Sequence, residues 1–300
     1  MASLLIIGGT GFFGKSILDS FKRGLLKKHE IFKIIILARN TKKFEIEYPE
    51  LISDAVEFIN GDIEKINRLP FADYVIHAAT STNMNDYLDK SNHNFEMAIK
   101  NYFFLAQYFH SKSKILYCSS GAVYGKQPLD VEKIDENHKF KEDLSDLSEE
   151  KRAYCLSKRY AEKEISNLGM SGLSVSIARC FAFSGKYLPR DKHYAYGNFV
   201  DQAEQGKDII VNAKGTVYRS YMTADQLVSA LFQILQVAST KCPILNVGSE
   251  TIITLEELAK KIAKEYSVNY SCPNLNKNII LDRYVPNTNR LKMLISNNKI

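Results

Sequence analysis

The 300-residue sequence has only five cysteines, Cys118, Cys155, Cys180, Cys242 and Cys272, and no two stand at a metal-binding or redox-pair spacing. An odd, scattered set argues against a disulfide framework and predicts reduced, mostly buried thiols. Histidine is sparse too: the six copies show no ligand spacing, and His77, inside an apolar run, reads as a packed core residue. No apolar run is long enough to span a bilayer, and the first apolar segment begins within a few residues of Met1, so the expectation is a cytoplasmic protein without membrane contact. Charge is not concentrated either. The formal +6 arises from 40 basic and 34 acidic residues, with only doublets such as Lys27-Lys28, Lys42-Lys43 and Lys260-Lys261. That argues against a nucleic-acid face and suits an anionic small molecule. There is no internal repeat or low-complexity segment, and a 45% hydrophobic, 25% charged composition fits one large or two small globular domains.

What is present begins at residues 4–14, LLIIGGTGFFG: an apolar run, then Gly8, Gly11 and Gly14 at intervals of three, then an amphipathic stretch over 15–26. Strand, tight turn and helix is the predicted order. Gly8 permits the turn, Gly11 admits a pyrophosphate close to the backbone, and Gly14 lets the helix pack on the strand. The phosphates then meet N–H groups at the helix N-terminus, where Phe12 and Phe13 stand.

Residues 31–38 (IFKIIILA) form a near-continuous apolar run, the pattern of a parallel strand covered on both faces, and 56–59 and 74–79 repeat it. Asn60-Gly61-Asp62-Ile63 makes a turn between these two. It puts Asp62 just past a strand end, either to accept a hydrogen bond from an adenine amino group or simply to make the turn. Helices are predicted over 92–111 and 149–167, and strands over 114–119 and 174–179. This alternation is that of an α/β, doubly wound parallel sheet. Past Arg179, Pro189, Gly197, Gly206 and Gly215 break the pattern before a helix over 225–235, a strand over 244–248 and a helix opened by the capping box Thr254/Glu257. The organisation expected is a dinucleotide-binding domain over 1–180 and 220–248, with a smaller, discontinuous substrate-binding domain over 181–219 and 249–300. The charged stretch 130–150 reads as a solvated loop over the cleft, or as a lid.

Tyr154 and Lys158 stand four residues apart in the helix predicted over 149–167, so they project from one face, a turn apart. A phenol titrates near pH ~10 in isolation and is a poor base at neutral pH. An adjacent ammonium stabilises the phenolate and brings it toward the working range. Upstream, Ser119 and Ser120 end a strand, where a hydroxyl can hold a substrate oxygen and share its proton with the tyrosine. Cys155 points elsewhere on the helix and is given no chemistry.

The run GGTGFFG, the segment CSSGAVYG over 118–125, Tyr154-x-x-x-Lys158 and Arg219-Ser220-Tyr221 together resemble the extended short-chain dehydrogenase/reductase family, and within it the nucleotide-sugar epimerase/dehydratase group. The likeness covers nearly the whole chain. It implies a Rossmann sheet, with Tyr154 as general acid/base and Lys158 binding the nicotinamide ribose and lowering the tyrosine's pKa. Ser120, five residues before Gly125, matches the catalytic hydroxyl, with Ser119 the runner-up. Ala78 and Ala79 match the loop beneath the cofactor, and Asp62 and Ile63 the adenine-binding turn. Arg219 matches an arginine that clamps the substrate's diphosphate, which a guanidinium fork fits bidentately. Arg283 is a second clamp or a surface ion pair, and Asn198 falls where the family contacts the nucleotide end of the substrate. The helices over 92–111 and 149–167 correspond to the family's dimer-forming pair, or face only the sheet.

Two departures bear on the reaction. Dehydratases of the usual type follow the catalytic threonine with an Asp-Glu pair, whereas Gly121 and Ala122 follow Ser120, so 4,6-dehydration lacks its proton shuttles. NAD-preferring members end the second strand on an acid, whereas this chain reads Leu37-Ala38-Arg39-Asn40. Arg39 then pairs with a 2'-phosphate or stacks on adenine, and the cofactor is NAD or NADP, with a slight lean to NADP. The chain also stops soon after residues 291–295, where many members continue through another helix, which bears on the wall of the pocket. The expectation is an NAD(P)-dependent enzyme acting at C4 of a nucleoside-diphosphate hexose, a 4-epimerase or 4-keto reductase of surface-polysaccharide sugar synthesis, working as a homodimer. Its rivals are a 4,6-dehydratase and a non-catalytic dinucleotide sensor, the latter expected to lose the tyrosine, lysine or serine kept here.

Overall fold

The computed structural model describes residues 2–63, 65–66, 68–80, 112–190 and 194–297. The apolar runs become the strands of one sheet: β1 (Ala2–Ile7), β2 (Ile31–Ala38), β3 (Val56–Asn60), β4 (Tyr74–His77), β5 (Lys114–Ser120), β6 (Ser174–Cys180) and β7 (Ile244–Val247). They lie in the order β7-β6-β5-β4-β1-β2-β3, and every pairing is parallel. Continuous apolar runs are what such strands need, because both faces are covered. Leu4, Ile6, Ile34 and Ile36 enter one core and Leu5, Ile7, Ile35 and Leu37 the other, all of them buried.

The helices are α1 (Phe12–Lys22), α2 (Thr41–Glu47), α3 (Glu149–Met170), α4 (Ala195–Glu204), α5 (Ala224–Gln236), α6 (Leu255–Tyr266) and α7 (Asn289–Asn297). Ile17 of α1, Leu231 of α5 and Leu291 of α7 join the first core, and Ala161 and Ile165 of α3 the second. α3 runs past the predicted end at 167 and stops only before Gly172, whose φ of 102° no other residue type adopts cheaply. The capping box predicted at Thr254/Glu257 opens α6. The helix expected over 92–111 lies outside the described residues, so its pairing with α3 is not seen.

The doubly wound sheet is as predicted, and its winding fixes where a ligand can sit. Strand order reverses at β1, whose neighbours β2 and β4 lead outward in opposite directions, so the loops leaving β1 and β4 part and open a crevice at the strands' carboxyl ends. Beside it, α4 packs on α6 around a small core of Phe199, Val200, Ile209, Leu258 and Ile262. A three-stranded sheet completes this part: Gly215–Arg219 pairs antiparallel with Ile253–Thr254 and parallel with Asn276–Tyr284, which brings Arg219 opposite Tyr284. The stretch 126–148 contains no helix and no strand, yet it is tied down: Ile134 bridges to Pro286, and Ile134 and Leu144 are buried.

Candidate active site

A cavity of about 1830 Å³ lies over the carboxyl ends of β1, β2, β4, β5 and β6. Ordinary small-molecule pockets measure roughly 300–1,000 Å³, so this one has room for two ligands end to end.

At one end stands the glycine turn. Gly8 has φ 83°, its N–H donates to the Leu37 carbonyl, and a Cβ there would come within 2.6 Å of the Ala79 backbone. Only glycine fits between the ends of β2 and β4. Gly11 is the N-cap of α1, makes no side-chain cap, and is followed by no acidic residue in the first turn. A Cβ on Gly14 would strike the Gly9 carbonyl oxygen at 2.0 Å. Gly14 therefore lets the start of the helix close over the Gly9 peptide at the end of β1, and it does not line the cavity. The rings of Phe12 and Phe13 pack on Phe183 at 6.2 and 5.4 Å, which seats the helix start while its unpaired N–H groups stay at the cavity wall. A bare backbone cradle and a helix N-terminus with no acid in its first turn fit a dinucleotide's diphosphate. Arg39, Asp62, Ile63, Ala78 and Ala79 all line the same end; Arg39 is exposed and Asp62 half-buried.

Further along, Ser120, Tyr154 and Lys158 meet on the cavity. Lys158 is 1% exposed, and its Nζ donates to Tyr117 Oη and the Cys118 carbonyl, both at 3.1 Å, while lying 5.8 Å from the centre of the Tyr154 ring. Burial pulls its pKa down to about 8, with Cys118, Cys180 and Glu162 pulling the other way. His77 is buried against the Tyr117 ring, 5.6 Å between centres; burial, then the charge of Lys158, pushes it down to about 3, so it is neutral, in keeping with a core histidine. Cys155 faces away, its thiol toward the Val123 carbonyl.

The two serines separate cleanly. Ser119 Oγ donates to Glu162 Oε1 at 2.6 Å, part of a buried network in which Arg179 bonds Glu162 and the Tyr124 hydroxyl. Ser120 Oγ instead accepts from the Ala122 N–H at 3.1 Å and stands 3.4 Å from the Tyr284 hydroxyl. Of the pair, Ser120 is the one free of an ion-pair network.

At the other end, Arg219 and Arg283 line the cavity. Arg219 Nη2 pairs with Asp282 at 2.6 Å and Nη1 donates to the Tyr218 carbonyl. Arg283 lies 4.3 Å over the Tyr218 ring, and its buried Nε meets no acceptor, so a ligand oxygen would have a donor waiting. Asn198 sits in the first turn of α4 and is not among the residues lining the cavity, whereas Tyr194 and Ala195 are. At Gly197 the helix passes close to the Pro189 carbonyl oxygen, 2.1 Å from where a Cβ would be. Tyr117 and Tyr284 are site residues that the motifs do not point to. A tyrosine inside an apolar strand and another beside a clamp arginine carry no spacing that marks them.

Comparison with known proteins gives the class. The model of the NAD dependent epimerase/dehydratase family matches residues 4–248. The chain belongs to the NAD-dependent epimerase/dehydratase family. Among solved structures, a UDP-N-acetylglucosamine 4-epimerase from Methanobrevibacter ruminantium M1, in complex with UDP-N-acetylmuramic acid, is similar at TM-score 0.78 and 18% identity, covering 98% of this chain and 91% of that one. A dTDP-glucose 4,6-dehydratase from Streptomyces venezuelae with NAD bound gives TM-score 0.79 and 17% identity, covering 97% and 90%. A UDP-glucose 4-epimerase from Rickettsia bellii is 38% identical over 81 residues, 26% of this chain and 24% of that protein, so the match spans about a quarter of the relative's length. The lean to NADP drawn from Arg39 gains no support from these relatives. Among the described residues, no helix is long and apolar enough to cross a membrane.

Proposed function

We propose that this chain acts on C4 of a nucleoside-diphosphate hexose with NAD or NADP, as a 4-epimerase or a 4-keto reductase. The observation that carries the reading is the convergence of Ser120, Tyr154 and Lys158 on one cavity, between a glycine turn at one end and two arginines at the other. A nicotinamide dinucleotide bound there supplies the hydride acceptor or donor. Tyr154 takes or returns the proton of the C4 hydroxyl, Ser120 holds that oxygen, and the Lys158 ammonium favours the phenolate near neutral pH. Arg219 and Arg283 bind the diphosphate. Epimerisation requires the keto sugar to turn over and receive hydride on its other face, whereas a reductase releases the alcohol once. Surface-polysaccharide sugar synthesis by a cytoplasmic homodimer is part of the same proposal.

The dehydratase reading is disfavoured by space as well as by residue type. A side chain at Gly121 would meet the Phe181 ring at 2.7 to 2.8 Å, and Ala122 carries no acid. Asp146 and Asp282, which also line the cavity, are held by Lys141 and Arg219.

The test is to follow the bound nicotinamide by absorbance while a panel of nucleoside-diphosphate hexoses is offered. Sugar interconversion without net redox change identifies an epimerase, and stoichiometric consumption of reduced cofactor a reductase. Turnover of none of the panel overturns the reading.

A further inference from the structure

The strand Asn276–Tyr284 does two things at once. Arg283 turns to the cavity beside Arg219, and the next residue, Tyr284, reaches Ser120. Arg219 and Tyr284 are cross-strand neighbours, and the Arg219 guanidinium lies 5.8 Å from the centre of the Tyr284 ring. The ring is fixed on its other side by Phe181, 4.6 Å between centres. Its hydroxyl stands 3.4 Å from Ser120 Oγ and donates to the Cys180 carbonyl at 3.5 Å.

Proton bookkeeping gives this contact its meaning. Ser120 Oγ already accepts from the Ala122 N–H, and either hydroxyl can donate across the Ser120–Tyr284 contact; with the Tyr284 O–H directed to the Cys180 carbonyl, the serine's proton has the Tyr284 oxygen as an acceptor. A substrate oxygen arriving at Ser120 competes for that proton. When it wins, the Tyr284 O–H can swing from the Cys180 carbonyl to the serine oxygen and polarise it toward the substrate. Burial pushes the Tyr284 phenol well above its usual value, so it stays a donor. Catalytic hydrogen bonds are often long before substrate binds and tighten in the Michaelis complex.

We propose that Tyr284 is a positioning residue that orients the Ser120 hydroxyl, and that it couples this orientation to occupation of the Arg219–Arg283 diphosphate site on the same small sheet. Tyr284 reports across the strand pair that the diphosphate is in place, and Ser120 answers by turning toward the sugar. The proposal rests on the C4 reading above for the identity of the substrate, not for the Ser120–Tyr284 contact.

Two measurements on the full chain test it. In the first, Tyr284→Phe, Ser120→Ala and the double variant are compared on whichever nucleoside-diphosphate hexose the wild type turns over. Tyr284→Phe keeps the ring and its packing. The expected result is a kcat lowered by roughly tenfold, with binding of the dinucleotide unchanged, and a double variant no slower than Ser120→Ala alone. Effects that multiply in the double variant would overturn the proposal, as would a Tyr284→Phe enzyme with wild-type kcat.

The second measurement needs no turnover. Ser120→Cys places a thiol at the site, and its alkylation by iodoacetamide at pH 7.5 is read by mass spectrometry, with and without Tyr284→Phe and with and without UDP. Ionisable groups on every wall are common to both proteins: Tyr154 and Lys158 on α3, Cys118 and Cys180 at the sheet, and Arg219, Asp282 and Arg283 on the small sheet. The Tyr284 hydroxyl stabilises the thiolate, so its removal slows alkylation by about fivefold, and the response to UDP is lost with it. Equal rates, or a UDP response that survives the loss of the hydroxyl, would contradict the proposal. Failure of every sugar in the first experiment would defeat the C4 reading alone, and the thiol measurement would still decide Tyr284.

Discussion

Arg179 and Glu162 form a buried ion pair, Nη2 to Oε2 at 2.7 Å, with each side chain 6% exposed. Glu162 lies one helical turn beyond Lys158 on α3 and also accepts from Ser119 at the end of β5, while Arg179, on β6, reaches the Tyr124 hydroxyl. Glu162 therefore fastens the helix bearing Tyr154 and Lys158 to β6 through Arg179 and, through Ser119, to the strand that ends in Ser120. Glu162→Ala leaves a guanidinium buried without its carboxylate, a change that costs roughly 3–5 kcal/mol. The expected outcome is that loss of stability in urea unfolding. A loss below about 1 kcal/mol would show that the pair is not what holds α3 in place.

Arg219 is poised rather than idle. Its Nη2 is on Asp282 and its Nη1 on a carbonyl, leaving donors for a diphosphate. Arg219→Ala should raise KM for the nucleotide sugar by about 100-fold, in the range of a lost charge-assisted hydrogen-bond pair, with dinucleotide affinity unchanged. Steady-state kinetics and calorimetry check the two halves separately; weakened dinucleotide binding would move Arg219 out of the substrate site.

Lys158 makes a prediction in pH. Its folded pKa, lowered to about 8 by burial, means that the unliganded protein loses the ammonium above that pH, so kcat/KM should fall along an alkaline limb near pH 8. Stability moves the other way. Between about 8 and the ordinary lysine value of 10.5 the unfolded chain binds more protons than the folded one, so this residue's contribution to stability rises with pH across that window. In Lys158→Met the limb should vanish and kcat/KM at neutral pH should fall, because no ammonium stabilises the phenolate. A pH profile of kcat/KM identical in both proteins would remove Lys158 from the chemistry.

The sheet was legible because its strands are buried on both faces and so read as apolar runs, and the glycine turn because φ and close approach leave no alternative at Gly8. Tyr154 and Lys158 were legible because four-residue spacing fixes a shared helix face. Ser119 and Ser120 alternate across a strand, and sequence alone left their roles ordered but unseparated; the structure separates them by what each touches, Glu162 or Tyr284. Tyr284 itself was not legible, since it reaches the site only through the pairing of Gly215–Arg219 with Asn276–Tyr284, whose register shifts twice.

The central claim is that the Tyr154 phenol moves the proton at the sugar. Its most direct test is single-turnover reduction of the bound dinucleotide by an accepted nucleoside-diphosphate hexose, in wild type and Tyr154→Phe. The expected result is a rate of hydride transfer lower by about 10²- to 10⁴-fold, with cofactor content and unfolding transition unchanged. A Tyr154→Phe protein that transfers hydride at the wild-type rate would contradict it.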